Sequence, residues 1–295
     1  MSVFRFIAAN KATFPVKALC AMLEVSRSGF YDWQARGPSA RELADDQLTE
    51  RIRAIHVESR QTYGAARIHA ELAYEGTRVG KKRVARLMQS AGISGLFKKR
   101  RGKTTIRVPG VRTAPDLVDR DFLAFAPNRL WCADITYVRT WEGWLYLAVV
   151  MDIYSRRIVG WSMDNHMRAE LVVDALEMAV ARRDPQPGLI HHSDHGSQYI
   201  ALIFNQRCRL AGINLSMGSK GCAYDNAVAE SFFSSLKKDL IYRRSWPTRA
   251  EARSAIFDHI EVFYNRKRRH STLGMLSPEE FETINQSTVQ MAVNL

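Results

Sequence analysis

The N-terminal part of the chain places apolar side chains at helical spacing on either side of a short polar turn. Val16, Leu19, Met22 and Leu23 would share one face of a helix. A second helix carrying Phe30 and Trp33 would follow the turn, with Ser26 or Ser28 as its N-cap. The pattern predicts a helix-turn-helix unit within a first module of residues 1–45.

The next predicted module, residues 46–105, contains three helices followed by a basic run. The apolar positions are Leu48, Ile52 and Ile55 in the first helix, Ile68 and Leu72 in the second, and Val84, Leu87 and Met88 in the third. Gly80 would precede the third helix, and Gly92 would follow it where a left-handed glycine commonly ends a helix. The basic run at 98–103 has no apolar face to bury, so we interpret it as an extended arm.

After a predicted linker at 106–126, the pattern changes from helices to strands. β-Branched and aromatic residues are frequent at 130–139, 144–151 and 157–162, which indicates a three-stranded meander. A strongly amphipathic helix at 169–183 follows, then a short buried strand at 189–193, a helix to about 211 and a strand at 213–217. This order predicts an α/β core with a mixed sheet over 127–285, followed by a C-terminal tail at 286–295.

The excess positive charge lies in the N-terminal part of the chain, in the two helical modules and the start of the linker. The net charge is +13, with 22 basic and 9 acidic residues up to Arg112 and 21 of each kind after it. A merely basic surface is the alternative, but so complete an asymmetry favours a polyanion-binding region. The residues predicted to contact DNA phosphates in this region are Arg27, Lys81, Lys82, Arg83, Lys98, Lys99, Arg100 and Arg101.

Cysteine spacing and hydropathy exclude several other classes of protein. The four cysteines are scattered without a C-x-x-C pair, which excludes a zinc knuckle and a disulfide framework. The longest apolar run near the middle, 145–151, is too short to cross a bilayer, and no signal-peptide pattern opens the chain. No P-loop pattern indicates nucleotide hydrolysis. We therefore expect a protein of the cytoplasm.

Three acidic residues are candidates for catalysis. Asp134 interrupts an apolar strand, and Asp194 ends another strand, so both carboxylates would be partly desolvated beside a sheet. Glu230 lies at the border of a helix face that buries Ala229, Phe232, Phe233, Leu236 and Leu240. Each acid alone is more simply a surface or capping residue, but their joint placement favours an oxygen-ligand site for hard divalent ions. Two such ions support in-line displacement at phosphorus.

The spacing and surroundings of these acids resemble a known family. The 35 residues between Asp194 and Glu230 give the D-D-35-E signature of retroviral integrases and many transposases. The segments around the three acids are WCADITY (131–137), HSDHGSQY (192–199) and YDNAVAESFF (224–233). The segments TYGAARI (62–68), YNR (264–266), HSTLG (270–274) and SP (277–278) add to the match. Together they are similar to OrfB-type transposases of the bacterial insertion-sequence-three family.

The resemblance implies a ribonuclease-H-like core and a transposase that cuts transposon ends and transfers the strands. It implies Asp134, Asp194 and Glu230 as catalytic ligands of Mg²⁺ or Mn²⁺, two ions in number. Lys237, two helical turns after Glu230, is expected to contact the DNA backbone. The implied partners are transposon-end and target DNA, further copies of the chain assembled on DNA, and an upstream OrfA product.

Two other functions keep the same fold. A catalytically inactive DNA-binding regulator would need no intact acids, so the three acids argue against it. A structure-specific nuclease would cleave DNA without strand transfer.

Overall fold

The computed structural model of the chain describes residues 3–96, 117–118, 124–194, 196–217 and 227–293, with side chains to residue 286. The predicted arm at 98–103 and nearly all of the predicted linker lie outside these residues. Within the described ranges, no helix is both long enough and apolar enough to cross a membrane.

Three short helices form the first N-terminal unit: α1 (Val3–Asn10), α2 (Val16–Met22) and α3 (Arg27–Arg36). Their core consists of Ile7, Leu19, Cys20 and Phe30. Ser26 caps α3 by accepting a hydrogen bond from the backbone N–H of Gly29 at 2.9 Å, as predicted. The prediction that Met22 faces inward is wrong, because Met22 is 75% exposed. It is the last residue of α2, and Cys20 takes the inward position beside Leu19.

The second helical unit contains α4 (Ala40–Glu58), α5 (Ala65–Tyr74) and α6 (Lys81–Ser90). Each apolar position predicted for these helices is buried in one common core. Ser39 begins α4 with a reciprocal capping box to Glu42, which satisfies two backbone N–H groups at the helix start. Gly92, with a positive φ of 67°, follows α6 at the predicted position. The predicted boundary between residues 45 and 46 falls inside α4.

A five-stranded mixed sheet forms the centre of the remaining chain. Its strands are β1 (Leu130–Thr140), β2 (Gly143–Asp152), β3 (Ile158–Asp164), β4 (Ile190–Ser193) and β5 (Asn214–Met217). Their order across the sheet is β3-β2-β1-β4-β5. Strand β2 is antiparallel to both β1 and β3, whereas β4 is parallel to β1 and β5 is parallel to β4. The predicted meander and mixed sheet are confirmed.

Helices cover both faces of the sheet. One face is covered by α7 (Ala169–Arg183), α8 (Ser197–Ile200) and α9 (Leu202–Leu210). The other face is covered by α10 (Ala227–Asp239) and α11 (Arg249–Asp258). Helix α11 continues into a π-helical segment, His259–Tyr264. Gly160 of β3 allows α7 to approach closely. A Cβ atom at this position would lie only 2.1 Å from the backbone oxygen of Ala175. The sheet is therefore buried on both sides, which explains why its strands are nearly continuous apolar runs.

The last helix, α12 (Pro278–Val293), is anchored to the sheet by buried ion pairs. Glu282 accepts hydrogen bonds from Arg157 at 2.8 Å, from Arg183 at 2.8 Å and 2.9 Å, and from the hydroxyl of Ser155 at 2.7 Å. These contacts join α12 to the β2–β3 turn and to the end of α7. The helix runs through the predicted boundary between the core and the tail at 285/286.

The second helical unit packs directly on the α/β core. Phe263 of the π-helical segment enters the apolar core of α4, α5 and α6. The hydroxyl of Tyr63 donates to the backbone oxygen of Lys267 at 3.1 Å and accepts from the backbone N–H of Arg269 at 2.8 Å. The guanidinium of Arg269, in turn, pairs with Glu71 of α5 at 2.8 Å. We call this set of contacts the module–core clasp.

Candidate active site

The two aspartates are brought together by the parallel pairing of β1 and β4. In the register of these strands Cys132 lies opposite His192, so Asp134 and Asp194 each lie two residues beyond the same paired position. Strand β4 ends at Ser193, and Asp194 follows it directly. Because neighbouring strands are about 4.8 Å apart, the two carboxylates lie at the same carboxyl-end edge of the sheet, where α/β folds commonly bind ligands.

Glu230 reaches the same edge from the first turn of α10. The preceding residue, Ala229, is buried against Cys132 and Leu130 of β1, and its backbone contacts the Cys132 thiol. This contact fixes the start of α10 against Cys132, which lies two residues before Asp134 on β1. Phe232, Phe233 and Leu236 bury the opposite side of the helix, as predicted, and Glu230 itself is exposed. Asp225 and Asn226, which directly precede α10, lie outside the described residues.

The charges of Asp194 and Glu230 both reach Asp134. Burial raises the pKa of Asp134 to about 7, and the carboxylates of Asp194 and Glu230 contribute to this rise. The backbone N–H of Ile135, which donates to Asp134 Oδ1 at 2.7 Å, and the ammonium of Lys237 oppose it. At pH 7 the Asp134 carboxyl is thus divided between its protonated and ionised forms.

Lys237 lies between Asp134 and an exposed aromatic side chain. Its Nζ is 5.3 Å from the centre of the Tyr137 ring, a cation–π distance. Burial lowers the pKa of Lys237, and the charge of Asp134 opposes that effect. Beyond residue 132, β1 has no paired neighbour on the β4 side within the described strands, so α10 can place this side chain over the open edge. Glu230 and Lys237, two turns apart on α10, therefore both act on Asp134.

The donor set fits a hard divalent cation by its chemistry. Asp194 Oδ1 accepts one backbone hydrogen bond, from Gly196 at 3.0 Å, and Asp134 accepts one from Ile135. The remaining carboxylate oxygens are the ligand type that Mg²⁺ prefers, and a cation would offset the repulsion that adds to the effect of burial on the pKa of Asp134. As placed in the described part of the chain, no three His, Cys, Asp or Glu side chains are arranged to hold a metal ion.

The histidines preceding Asp194 are packing residues. His191 and His192 are both buried, and burial lowers the pKa of His191 to about 4, so it is neutral. The His191 ring packs edge-on against Phe204 at 5.2 Å, and His192 Nδ1 lies 2.9 Å from the hydroxyl of Ser216. His195 lies outside the described residues.

The predicted DNA-contacting residues have different surroundings. Arg27 at the start of α3, and Lys81 and Lys82 at the start of α6, are exposed. Arg83, by contrast, forms an ion pair with Asp45 of α4 at 2.6 Å. Asp45 also binds Arg86 at 2.6 Å. Arg83 therefore contributes to the contact between α4 and α6, and its role in DNA binding stays a prediction. Lys98, Lys99, Arg100 and Arg101 lie outside the described residues.

Sequence reasoning missed two contributors to the site. Cys132 and Tyr137 look like ordinary strand residues, yet one fixes the start of α10 and the other contacts Lys237. The signal was the position of both residues beside Asp134 on β1. The sequence did not show that α10 would contact these two residues, because that helix follows almost a hundred residues later.

Comparison with known proteins identifies the family. A model of the integrase core domain matches residues 124–223, a second integrase core model matches 211–278, and an HTH-like domain model matches 43–101. Over 282 residues the chain is 41% identical to the transposase InsF of insertion sequence IS3A from Escherichia coli K12, with 95% of this chain and 98% of InsF covered. The chain belongs to the IS3 family of transposases.

A second relative from an insertion element agrees with this family. The 31 kDa protein of insertion element IS600 from Shigella sonnei is 43% identical over 263 residues, which cover 89% of this chain and 97% of that protein. Among solved structures, a chain of the simian T-cell lymphotropic virus intasome covers 78% of this transposase, at 13% identity and a TM-score of 0.45. That alignment covers 73% of the viral chain.

The family settles the class of enzyme and the nature of the core. This protein is a DDE transposase with an integrase core, and it acts in DNA transposition. The HTH-like model covers α4, α5 and α6. The HTH-like similarity thus lies in the second helical unit, and the helix-turn-helix unit predicted within residues 1–45 stays a prediction.

Proposed function

We propose that the transposase cleaves DNA at transposon ends and joins the freed 3′ ends to a target, using Asp134, Asp194 and Glu230. The observation that carries this assignment is the effect of the Asp194 and Glu230 carboxylates on Asp134, at the edge where β1, β4 and α10 meet. A phosphodiester placed there would meet three acids and one ammonium, that of Lys237.

The proposed cofactor is Mg²⁺ or Mn²⁺, in two ions. When bound, such ions activate the attacking oxygen and stabilise the leaving oxygen at phosphorus. The chain supplies the rest of the chemistry. Asp134 and Asp194 hold their carboxylates at the end of a rigid sheet, and Glu230 approaches from α10. The partly protonated Asp134 must lose its proton before it can serve as a ligand.

We propose that Lys237 contacts a DNA phosphate next to the reacting one. Its ammonium cannot ligate a cation, yet it lies over Tyr137 near Asp134, where the DNA strand must pass. Arg27, Lys81 and Lys82, which are exposed at helix starts, would hold more distant phosphates. The proposed partners are transposon-end and target DNA, further copies of the chain on that DNA, and an upstream OrfA product. The proposed place of action is the bacterial cytoplasm.

The test is cleavage and strand transfer with labelled end DNA, with and without chelator. Asp134→Asn, Asp194→Asn and Glu230→Gln should each abolish both steps in Mg²⁺ while DNA binding persists. Asp184→Asn is the matched control, because Asp184 is exposed at the other end of the sheet, beyond the last turn of α7. Near-normal cleavage by any one of the three variants removes that residue from the site. A pre-cut end separates strand transfer from simple nuclease activity.

A further inference from the structure

A cavity of about 400 Å³ lies beside α10, on a different face of that helix from Glu230. The sequence motifs around Arg67 and around 264–274, which the catalytic site does not use, both contribute to its lining. Its charged and histidine side chains are Arg67 of α5, Arg156 of the β2–β3 turn, Lys238 and Asp239 of α10, and Arg268 and His270 after the π-helical segment. The cavity therefore lies between the second helical unit and the α/β core.

The positive charges of this cavity exceed its negative charges. Arg268 pairs with Asp239 at 3.3 Å, and its guanidinium also donates to the hydroxyl of Ser235 at 2.8 Å. Arg67 donates through Nε to the backbone oxygen of Arg269 at 3.0 Å and lies over the ring of Tyr63. In the described part of the chain, no carboxylate forms an ion pair with Arg67 or with Arg156. One acid thus faces three guanidinium groups.

Burial and the crowding of these charges lower the pKa of side chains in the cavity. Burial lowers the pKa of both Arg67 and Arg156. Burial, with the charges of Arg268, Arg67 and Arg156, lowers the pKa of His270 to about 2. The imidazole therefore stays neutral and adds no further charge. Half-buried cations without a counter-charge are costly, so an anion bound in the cavity would stabilise this arrangement.

We propose that this cavity binds one phosphodiester group of the DNA backbone, held by Arg67 and Arg156 together with Arg268. Guanidinium groups match the tetrahedral oxygens of a phosphate by paired N–H donors. DNA is the source because Ser231, which follows Glu230 directly, lines the cavity and so places the phosphate next to the catalytic edge. The inference rests on the proposed function only in taking DNA as the substrate.

The test measures DNA binding by the full-length protein in chelator, so that no cleavage occurs. The probe is a fluorescent duplex of about 30 base pairs and arbitrary sequence, because phosphate contacts carry no sequence information. The variant is Arg67→Gln with Arg156→Asn, since Arg156 has a φ of 62° and asparagine tolerates that conformation. Losing one phosphate contact should lower the slope of log K against log salt by about 0.9.

The matched control is Arg207→Gln with Arg209→Gln, which removes two exposed charges from α9 across the sheet. If the test variant changes the salt slope no more than this control does, the proposal is overturned. Arg156→Lys, which keeps the charge and is the milder change, should retain the slope. A loss of slope with this lysine variant as large as that of the test variant would contradict a charge-based contact.

A second arm distinguishes DNA from a free anion. Inorganic phosphate, compared with chloride at equal ionic strength, should raise the unfolding temperature of the wild-type protein but not that of the Arg67/Arg156 variant. Stabilisation by phosphate without any change in the DNA salt slope would assign the cavity to a free anion and overturn the DNA assignment. Because these slopes are measured in chelator, they do not depend on the catalytic assignment of Asp134, whose failure is recognised separately by the cleavage assay in Mg²⁺.

Discussion

Replacing Asp134 by asparagine should change how the stability of the metal-free protein depends on pH. The folded-state pKa of this carboxyl is about 7, compared with 3.8 for an ordinary aspartate. Because the folded-state pKa is the higher one, the carboxyl contributes stability that is fully present below pH 3.8. That contribution is lost as the pH rises towards 7 and beyond. The asparagine side chain has the same shape as a protonated aspartate and does not titrate.

The size of the effect follows from the pKa difference. Between pH 5 and the folded-state pKa the wild-type protein loses about 2.7 kcal/mol of stability from this group, at about 1.36 kcal/mol per pKa unit. Residual contact of Asp134 with solvent reduces the expected value to about 2 kcal/mol. Every other titrating group is shared by the two proteins and cancels in their difference. Asp134→Asn should therefore gain about 2 kcal/mol over the wild type between pH 5 and pH 8.

The assay is urea unfolding in chelator at pH 5 and pH 8, followed by tryptophan fluorescence. Asp184→Asn, an exposed substitution at the other end of the sheet, should follow the wild type. Adding Mg²⁺ at pH 8 should stabilise the wild-type protein and leave Asp134→Asn nearly unchanged. Parallel pH dependences for the wild type and Asp134→Asn would refute the claim that Asp134 is desolvated among like charges.

Three further changes test the site and the fold. Lys237→Ala should lower the salt slope of DNA binding by about one unit, and an unchanged slope would remove Lys237 from the DNA surface. Glu282→Ala should cost about 3–5 kcal/mol in urea unfolding, because it leaves Arg183 buried without its main partner; a loss below about 1 kcal/mol would contradict that reading. Gly160→Ala should cost at least about 1–3 kcal/mol, since its Cβ would overlap Ala175 of α7; wild-type stability would show that α7 can move away.

Sequence patterns predicted an element best where a single long apolar face determines its position. Helix α7 has the predicted bounds, 169 and 183, because its apolar stripe is long and packs on a sheet that is itself apolar. The approach of Asp134 and Asp194 was predictable as well, since both follow buried strand residues. Met22 was misplaced because a seven-residue helix offers too few positions to define its buried face.

The basic cavity could not be predicted from sequence patterns. Arg67, Arg156 and Arg268 come from three distant parts of the chain, and each looks like an ordinary surface arginine in its own segment. The ion pair of Arg83 was equally hidden, because its position on a basic helix gave no sign of Asp45 on the neighbouring helix. The pattern of charges along a helix shows which residues share a face of that helix, but it does not show their partners on other helices. Which charges compensate one another depends on the packing between helices.

The module–core clasp has a consequence for where DNA is cut. Tyr63, Glu71 and Arg269 join the HTH-like unit to the segment that follows the π-helical turn, and Phe263 fills the core of that unit. If this unit binds the transposon end, the distance from the bound base pairs to Asp134 is set by packed protein rather than by a linker. This interface then fixes the number of base pairs between the recognised sequence and the cleaved bond.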